Sequence, residues 1–251
     1  MSDKATIDPR TYTAPPALLA ERIIMVTGAG DGIGAQAART CAAFGATVIL
    51  VGRTQAKLQA VHDAIVAAGH PEPSIASIDF ARAQGDDYQT IAAAVEQTFG
   101  HLDGLLNNAG ILGYLSPVDH YEVAKWLEVM HVNLNAPFIL TQALLPLLQK
   151  STDASIVFTS SSVGRRGRAF WGAYAVSKFG TEGLMQTLAD ELTDIRVNCI
   201  NPGATRTAMR RKAYPGEDPS RLRTPAEIMA PYLYLLGPDS RGVSGQSFDC
   251  Q

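Results

Sequence analysis

Seven short runs of aliphatic and β-branched residues, set apart by longer stretches of a different periodicity, restrict this chain more than any other feature. In order they are "RIIMVT", "ATVILV", "SIASID", "LDGLLNN", "SIVFTS", "IRVNCI" and a short "QSFD" near the end. Between the first six lie segments whose apolar residues recur at helical spacing: "GAQAARTCAAFG", "TQAKLQAVHDAIVAAG", "DYQTIAAAVEQTFG", then residues 124–149 and 171–192. A helical crossover returns the chain to begin its next strand in the same direction, whereas antiparallel neighbours need only a tight turn. Strands so apolar must be covered on both faces. The pattern predicts an α/β chain with a doubly wound, seven-stranded parallel sheet between two helical layers.

The 251 residues fit one core, since single cores stop growing at about 250–300 residues. No break in composition divides residues 21–251, so one domain is expected, preceded by an arm over residues 1–20. Residues 203–224 are too long for an ordinary helix-to-strand connection and read as a lid. A net charge of -3 lacks the basic footprint of a nucleic-acid or anionic-membrane binder. The first residues show no signal-peptide h-region, and no apolar run is long enough to span a membrane. A cytoplasmic protein is expected, with no nucleic-acid or membrane partner. Cys41, Cys199 and Cys250 suit buried thiols in a reducing compartment, and the histidines His62, His70, His101, His120 and His131 lack metal-ligand spacing. No metal is expected.

"TGAGDGIG", Thr27 to Gly34, sits between the first strand and first helix, where a Rossmann fold binds a dinucleotide. Gly28, Gly32 and Gly34 would let the backbone approach a pyrophosphate at the helix N-terminus. The second strand ends in Gly52 and Arg53, at the position where an acid would bond the adenosine ribose of NAD(H). A glycine leaves room for a 2′-phosphate and an arginine can grip it, so the pair favours NADP(H). Asp31 in the loop works against that choice.

Tyr174 and Lys178 stand at i and i+4 on a predicted helix and so share one side. A cation about 5 Å from a phenol, at an effective dielectric of about 20, is worth roughly 3 kcal/mol, or about 2 pK units. That predicts a phenol lowered to about 8, within acid–base range. A hydroxyl from the serine run 160–162, at a strand's C-terminal edge, could bond a substrate oxygen as charge grows on it.

Together "TGAGDGIG", "NNAG" (107–110), "HVNLNAPF" (131–138), "TSSSVG" (159–164), "YAVSK" (174–178) and "RVNCINPGATRTAM" (196–209) resemble the short-chain dehydrogenases/reductases over roughly residues 20–250. Within that family the chain is similar to a bacterial branch that shares the arm ahead of the first strand. The resemblance implies a tetrad. Tyr174 would be the general acid/base and Ser161, thirteen residues before it, would hold the substrate oxygen. Lys178 would tune the tyrosine and, with Tyr174, contact the cofactor at its nicotinamide ribose, and Asn133 would support a water relay to that lysine. It implies cofactor contacts at Gly28, Asp31, Gly32, Ile33 and Gly34, at Asp79 and Phe80 near the adenine, and at Asn108, Ala109 and Gly110 beside the ribose. Pro202, Gly203, Thr205 and Thr207 would lie near the carboxamide, with Thr205 where a branched apolar residue is more usual. Asn135 and Pro137 also depart from the family pattern, and the proline could alter how the helix bends around Asn133.

The expected activity is hydride transfer between NADP(H) and a small-molecule carbonyl/alcohol pair. A non-catalytic NADP-binding sensor or scaffold on the same fold is the alternative; its usual hallmark is a degraded Tyr–Lys pair. Relatives use helices equivalent to 120–149 and 171–192 to dimerise, which implies a homodimer or homotetramer. Between Ser161 and Thr224, eleven Lys and Arg stand against six acids; this surplus near the predicted mouth suggests an anionic ketone or an acyl thioester as substrate.

Overall fold

The computed structural model describes residues 7–251; residues 1–6, the beginning of the expected arm, lie outside the described residues. The strands are β1 (Ile23–Thr27), β2 (Thr47–Gly52), β3 (Ser74–Ser77), β4 (Gly104–Asn107), β5 (Ser155–Thr159), β6 (Arg196–Asn201) and β7 (Ser247–Asp249). They form one sheet in the order β3-β2-β1-β4-β5-β6-β7, and every adjacent pair is parallel. The expected fold class is thus observed, each strand falling on its apolar run, with β2 and β6 extending one residue beyond theirs.

The helices are α1 (Gly32–Ala43), α2 (Gln55–Ala67), α3 (Gly85–Phe99), α4 (Val123–Met130), α5 (Ala136–Leu148), α6 (Gly172–Glu191), α7 (Ala208–Ala213) and α8 (Ala230–Leu236). Strand side chains alternate between two cores. Met25, Ile49, Leu105, Ile156 and Val197 pack with α3, α5 and α6, whereas Ile24, Val26, Leu50, Leu106 and Val157 pack with α1, α2 and α8. Period-two alternation explains why the runs read as uniformly apolar: both faces are interior.

The single helix expected over 124–149 is two helices joined by a π-helical turn, His131–Asn135. Pro137, in the first turn of α5, has no N–H to give the carbonyl four residues back, and the ladder shifts register there. α8 has no counterpart in the sequence reading because Pro231 through Leu236 are all buried; apolar on every side, it shows no amphipathic stripe. Residues 7–20 pack against that helix, with Leu19 fully buried and the Tyr12 hydroxyl donating to Asp239 at 2.7 Å.

At the N-terminal edge of the sheet, Asp153 gathers Arg22 (2.8 Å), Arg241 (3.1 Å) and Arg196. Burial works to raise the Asp153 carboxyl, but the arginines, Arg196 foremost, outweigh it and hold it below its usual value. A depressed folded pKa stabilises the protein above the unfolded carboxylate's pKa, and that contribution disappears as pH falls through the folded value. Asp153→Asn, which uncovers partly buried arginines, is expected to cost about 3–5 kcal/mol in urea denaturation at neutral pH. A loss below about 1 kcal/mol would show the cluster to be structurally idle.

Candidate active site

The strand order reverses between β1 and β4, and a crevice opens beyond their C-terminal ends, the usual ligand site of such sheets. Thr27, the last residue of β1, organises it. Its hydroxyl accepts the N–H groups of Asn108 (2.9 Å) and Ala109 (3.0 Å), and its carbonyl accepts Asn108 Nδ2 at 3.1 Å. Those bonds fold the chain after β4 against the glycine loop. A Cβ at Gly34 would lie 2.2 Å from the Gly28 carbonyl oxygen and 2.6 Å from Asn108 Nδ2, so only glycine allows the loop this tightness. Gly28 and Gly32 take φ of +68° and +54°, a region that favours glycine. Ile33 packs against the α1/α2/α8 core. Asp31 caps α1, accepting the Gly32 N–H at 2.7 Å, and its other oxygen pairs with Lys57.

The adenosine end is built from the exits of β2 and β3. Gly52 ends β2, where a Cβ would lie 3.3 Å from Leu58 Cδ2, and Arg53 follows it, exposed. Asp79 lies just past β3 and accepts the Ala81 N–H at 3.2 Å. The Phe80 ring is buried and stacked on Tyr88, with centroids 6.1 Å apart, so its side chain belongs to the core and only its backbone can face the adenosine end.

Asn133 lies inside the π-helical turn, 1% exposed. Its Oδ1 accepts the Ile111 N–H at 2.8 Å, and its Nδ2 donates to the Ile111 carbonyl (2.9 Å) and Ser177 Oγ (3.0 Å). Its own carbonyl, freed by Pro137, receives the Thr181 hydroxyl at 3.5 Å. The turn ties α4–α5 to both the chain after β4 and α6. A Cβ at Gly110 would lie 3.3 Å from Asn133 Oδ1 and 3.8 Å from Lys178 Nζ, so Gly110, Asn133 and Lys178 meet at one point.

Lys178 and Tyr174 share a side of α6, both buried. Lys178 Nζ donates to the Thr159 carbonyl at 2.7 Å and lies 5.8 Å from the centre of the Tyr174 ring. The proton affinities depart from the sequence expectation. Burial pushes the Tyr174 phenol up to about 12, opposed by a hydrogen bond involving Ser161. Burial pushes Lys178 down to about 8, opposed by Cys199 and Glu182. The expected value near 8 for the phenol counted the attraction between the two groups and omitted the cost of removing each charge from water, which dominates here.

Ser161, Arg168, Trp171, Asn201, Arg210 and Tyr214 are among the residues lining a cavity of about 140 Å³. Ser160 is buried and its hydroxyl has no hydrogen-bond partner among the described residues, while Ser161 is partly open to the cavity. Pro202 is buried, Gly203 has φ of +72°, and the Thr205 hydroxyl turns inward to the Pro202 and Gly203 carbonyls at 3.3 and 3.4 Å. Thr207 caps α7, accepting the Arg210 N–H at 3.1 Å, and its methyl lies 3.5 Å from where a Cβ on Gly32 would be. The lid therefore starts over the glycine loop.

Residues 203–224 rest on two neighbouring loops through Arg168 to the Tyr214 hydroxyl (2.7 Å) and Lys212 to the Gly113 carbonyl (2.8 Å). Much of the positive surplus counted in this region is already engaged. Arg210 pairs with Glu217, Arg165 with Glu182 and Asp249, and Arg196 with Asp153 at the opposite end of the sheet. Two residues outside the sequence reading also belong to the site. Lys57 follows Arg53 by four positions, a spacing that could have flagged it. Gln251 donates to the Pro202 and Ala204 carbonyls at 2.7 and 3.2 Å, and no local sequence signal announces that contact.

A dinucleotide crevice beside a buried Tyr–Lys pair defines a class of oxidoreductase. Residues 22–218 match the short chain dehydrogenase family, and the chain belongs to it. It is 54% identical over 241 residues to the uncharacterized oxidoreductase YciK of Escherichia coli (strain K12), covering 96% of each chain. A short chain dehydrogenase from Pseudomonas syringae superposes with a TM-score of 0.94 at 57% identity, over 96% of this chain and 98% of that one. Another, from Escherichia coli CFT073 and complexed with NADPH, gives a TM-score of 0.93 at 54% identity, over 94% and 100%.

Without added cofactor, the near-ultraviolet phenolate titrations of the parent and Tyr174→Phe should coincide up to about pH 10 and differ by one phenol only toward the value of about 12. A phenolate dependent on Tyr174 at pH about 8 would contradict the burial argument.

Proposed function

We propose that the protein transfers a hydride between NADP(H) and a carbonyl/alcohol substrate, with Tyr174 as the general acid/base. The observation that carries this reading is the convergence of Gly110, Asn133, Lys178 and Tyr174 beside the glycine loop, with the Ser161 hydroxyl on the same side. The tight loop that Gly28 and Gly34 permit at the head of α1 fits a dinucleotide, and the exposed Arg53 beside Gly52 suits a 2′-phosphate. The NADPH complex of a relative 54% identical supports the same choice. When bound, this cofactor supplies the hydride.

The chain's own residues hold the proton and the substrate oxygen. Ser161 donates a hydrogen bond to that oxygen as negative charge develops on it. Tyr174 then gives its proton to the same atom. A phenol near 12 is neutral at physiological pH and ready to donate, and an alkoxide is a stronger base than a phenolate, so the transfer runs downhill. Lys178, near 8, remains mostly charged at pH 7 and stabilises the tyrosine's transient negative charge. Asn133 fixes the π-helical turn against Ile111 and Ser177, supporting the relay that would return a proton.

Val123 and Leu127 of α4, Phe138 of α5, and Val176 and Phe179 of α6 are exposed apolar side chains. We read this face as the contact of a homodimer or homotetramer.

A panel of ketones, quinones, sugars and acyl thioesters, offered with NADPH and with NADH, tests the function. Turnover with NADPH is expected for at least one class, and Tyr174→Phe should lower kcat by about 10²–10⁴-fold, the usual worth of a positioned acid. A phenylalanine variant that reduces carbonyls as fast as the parent would remove Tyr174 from the mechanism.

A further inference from the structure

Asp31 conflicts with the cofactor reading, because a carboxylate at the head of the glycine loop repels the extra phosphate that distinguishes NADP(H). The structure supplies a counter-charge from α2. Lys57, in that helix's first turn, brings Nζ within 2.6 Å of Asp31 Oδ2, while Asp31 Oδ1 takes the Gly32 N–H. Its stem lies against the glycine loop, since a Cβ on Gly30 would be 3.0 Å from Lys57 Cβ. Helix and loop touch at that point, which limits where the ammonium can go. The charge does not serve the helix: a cation in the first turn opposes the helix dipole, where an acid is favoured. Arg53, just ahead of the Thr54 cap of α2, is exposed and has no ion-pair or hydrogen-bond partner among the described residues. With Lys57 present, Arg53, Asp31 and Lys57 sum to one positive charge. Without it they cancel.

We propose that Lys57 is a specificity-determining residue of the dinucleotide site, neutralising Asp31 so that Arg53 can act on a 2′-phosphate. The preference for the phosphorylated cofactor then depends on the Asp31–Lys57 pair as much as on Arg53. This rests on the NADP(H) reading above. Both partners are more than half exposed, with side-chain accessibilities of 55% and 63%, so added salt weakens the effect.

Calorimetric titration of NADP⁺ and NAD⁺ into the parent, Lys57→Ala, Asp31→Asn and the double variant tests the idea without needing a substrate. Lys57→Gln keeps the aliphatic stem over Gly30 and guards against a packing artefact. Removing the lysine should weaken NADP⁺ by about tenfold while NAD⁺ stays within about twofold, and adding Asp31→Asn should restore most of the loss. Equal weakening of both cofactors, no weakening, or no recovery in the double variant would overturn the proposal. A parent that binds NAD⁺ as tightly as NADP⁺ would instead overturn the cofactor reading, and the proposal with it, on the parent's data alone.

Discussion

Lys178 carries a positive charge into a place where one backbone oxygen, the Thr159 carbonyl at 2.7 Å, is its direct hydrogen-bond partner. Much of the site follows from accommodating that charge. β5 ends at Thr159 so that its last carbonyl faces the lysine, and the chain then turns back across α6 at Gly164. A Cβ there would lie 2.8 Å from the Lys178 carbonyl oxygen and 2.9 Å from Lys178 Cβ, so the close crossing requires glycine. One helical turn earlier, Tyr174 is buried beside the lysine. The same dry surroundings that lower the ammonium's proton affinity to about 8 raise the phenol's to about 12, so burial drives apart two values that are ordinarily close together.

The second constraint is a break in regularity. α4 and α5 form one hydrophobic layer, yet Pro137 interrupts the ladder between them, and the π-helical turn directs Asn133 inward. Three side-chain hydrogen bonds, two to Ile111 and one to Ser177, stabilise the break and fasten it to the chain after β4 and to α6. Irregular helical turns of this kind recur at functional sites because they redirect a side chain without moving the helix. Thr27 does comparable work at the other edge of the crevice, where one hydroxyl oxygen accepts two successive N–H groups.

Most of the architecture was legible because its causes are local. Apolar runs such as "ATVILV" define strands whose two faces are both interior, and the glycines of Thr27–Gly34 announce a tight approach of backbone to ligand. The i, i+4 spacing correctly put Tyr174 and Lys178 side by side. What escaped the sequence depends on surroundings that spacing does not encode. α8 is buried on all sides and shows no periodic stripe. The Phe80 ring packs on Tyr88 in the core, a contact that spacing does not encode. Gln251 reaches Pro202 only because the sheet brings β7 beside β6. The direction of the phenol's shift depended on desolvation, which the residue spacing could not supply.

The central claim is that burial, more than mutual attraction, sets the protonation of the Tyr174–Lys178 pair. The most direct measurement is an NMR titration of the Lys178 side chain, following its ε-carbon shift and assigning the signal by its loss in Lys178→Met. A midpoint near the value of about 8 is the result predicted here. A midpoint above about 10, the ordinary range for a solvated lysine, would contradict it.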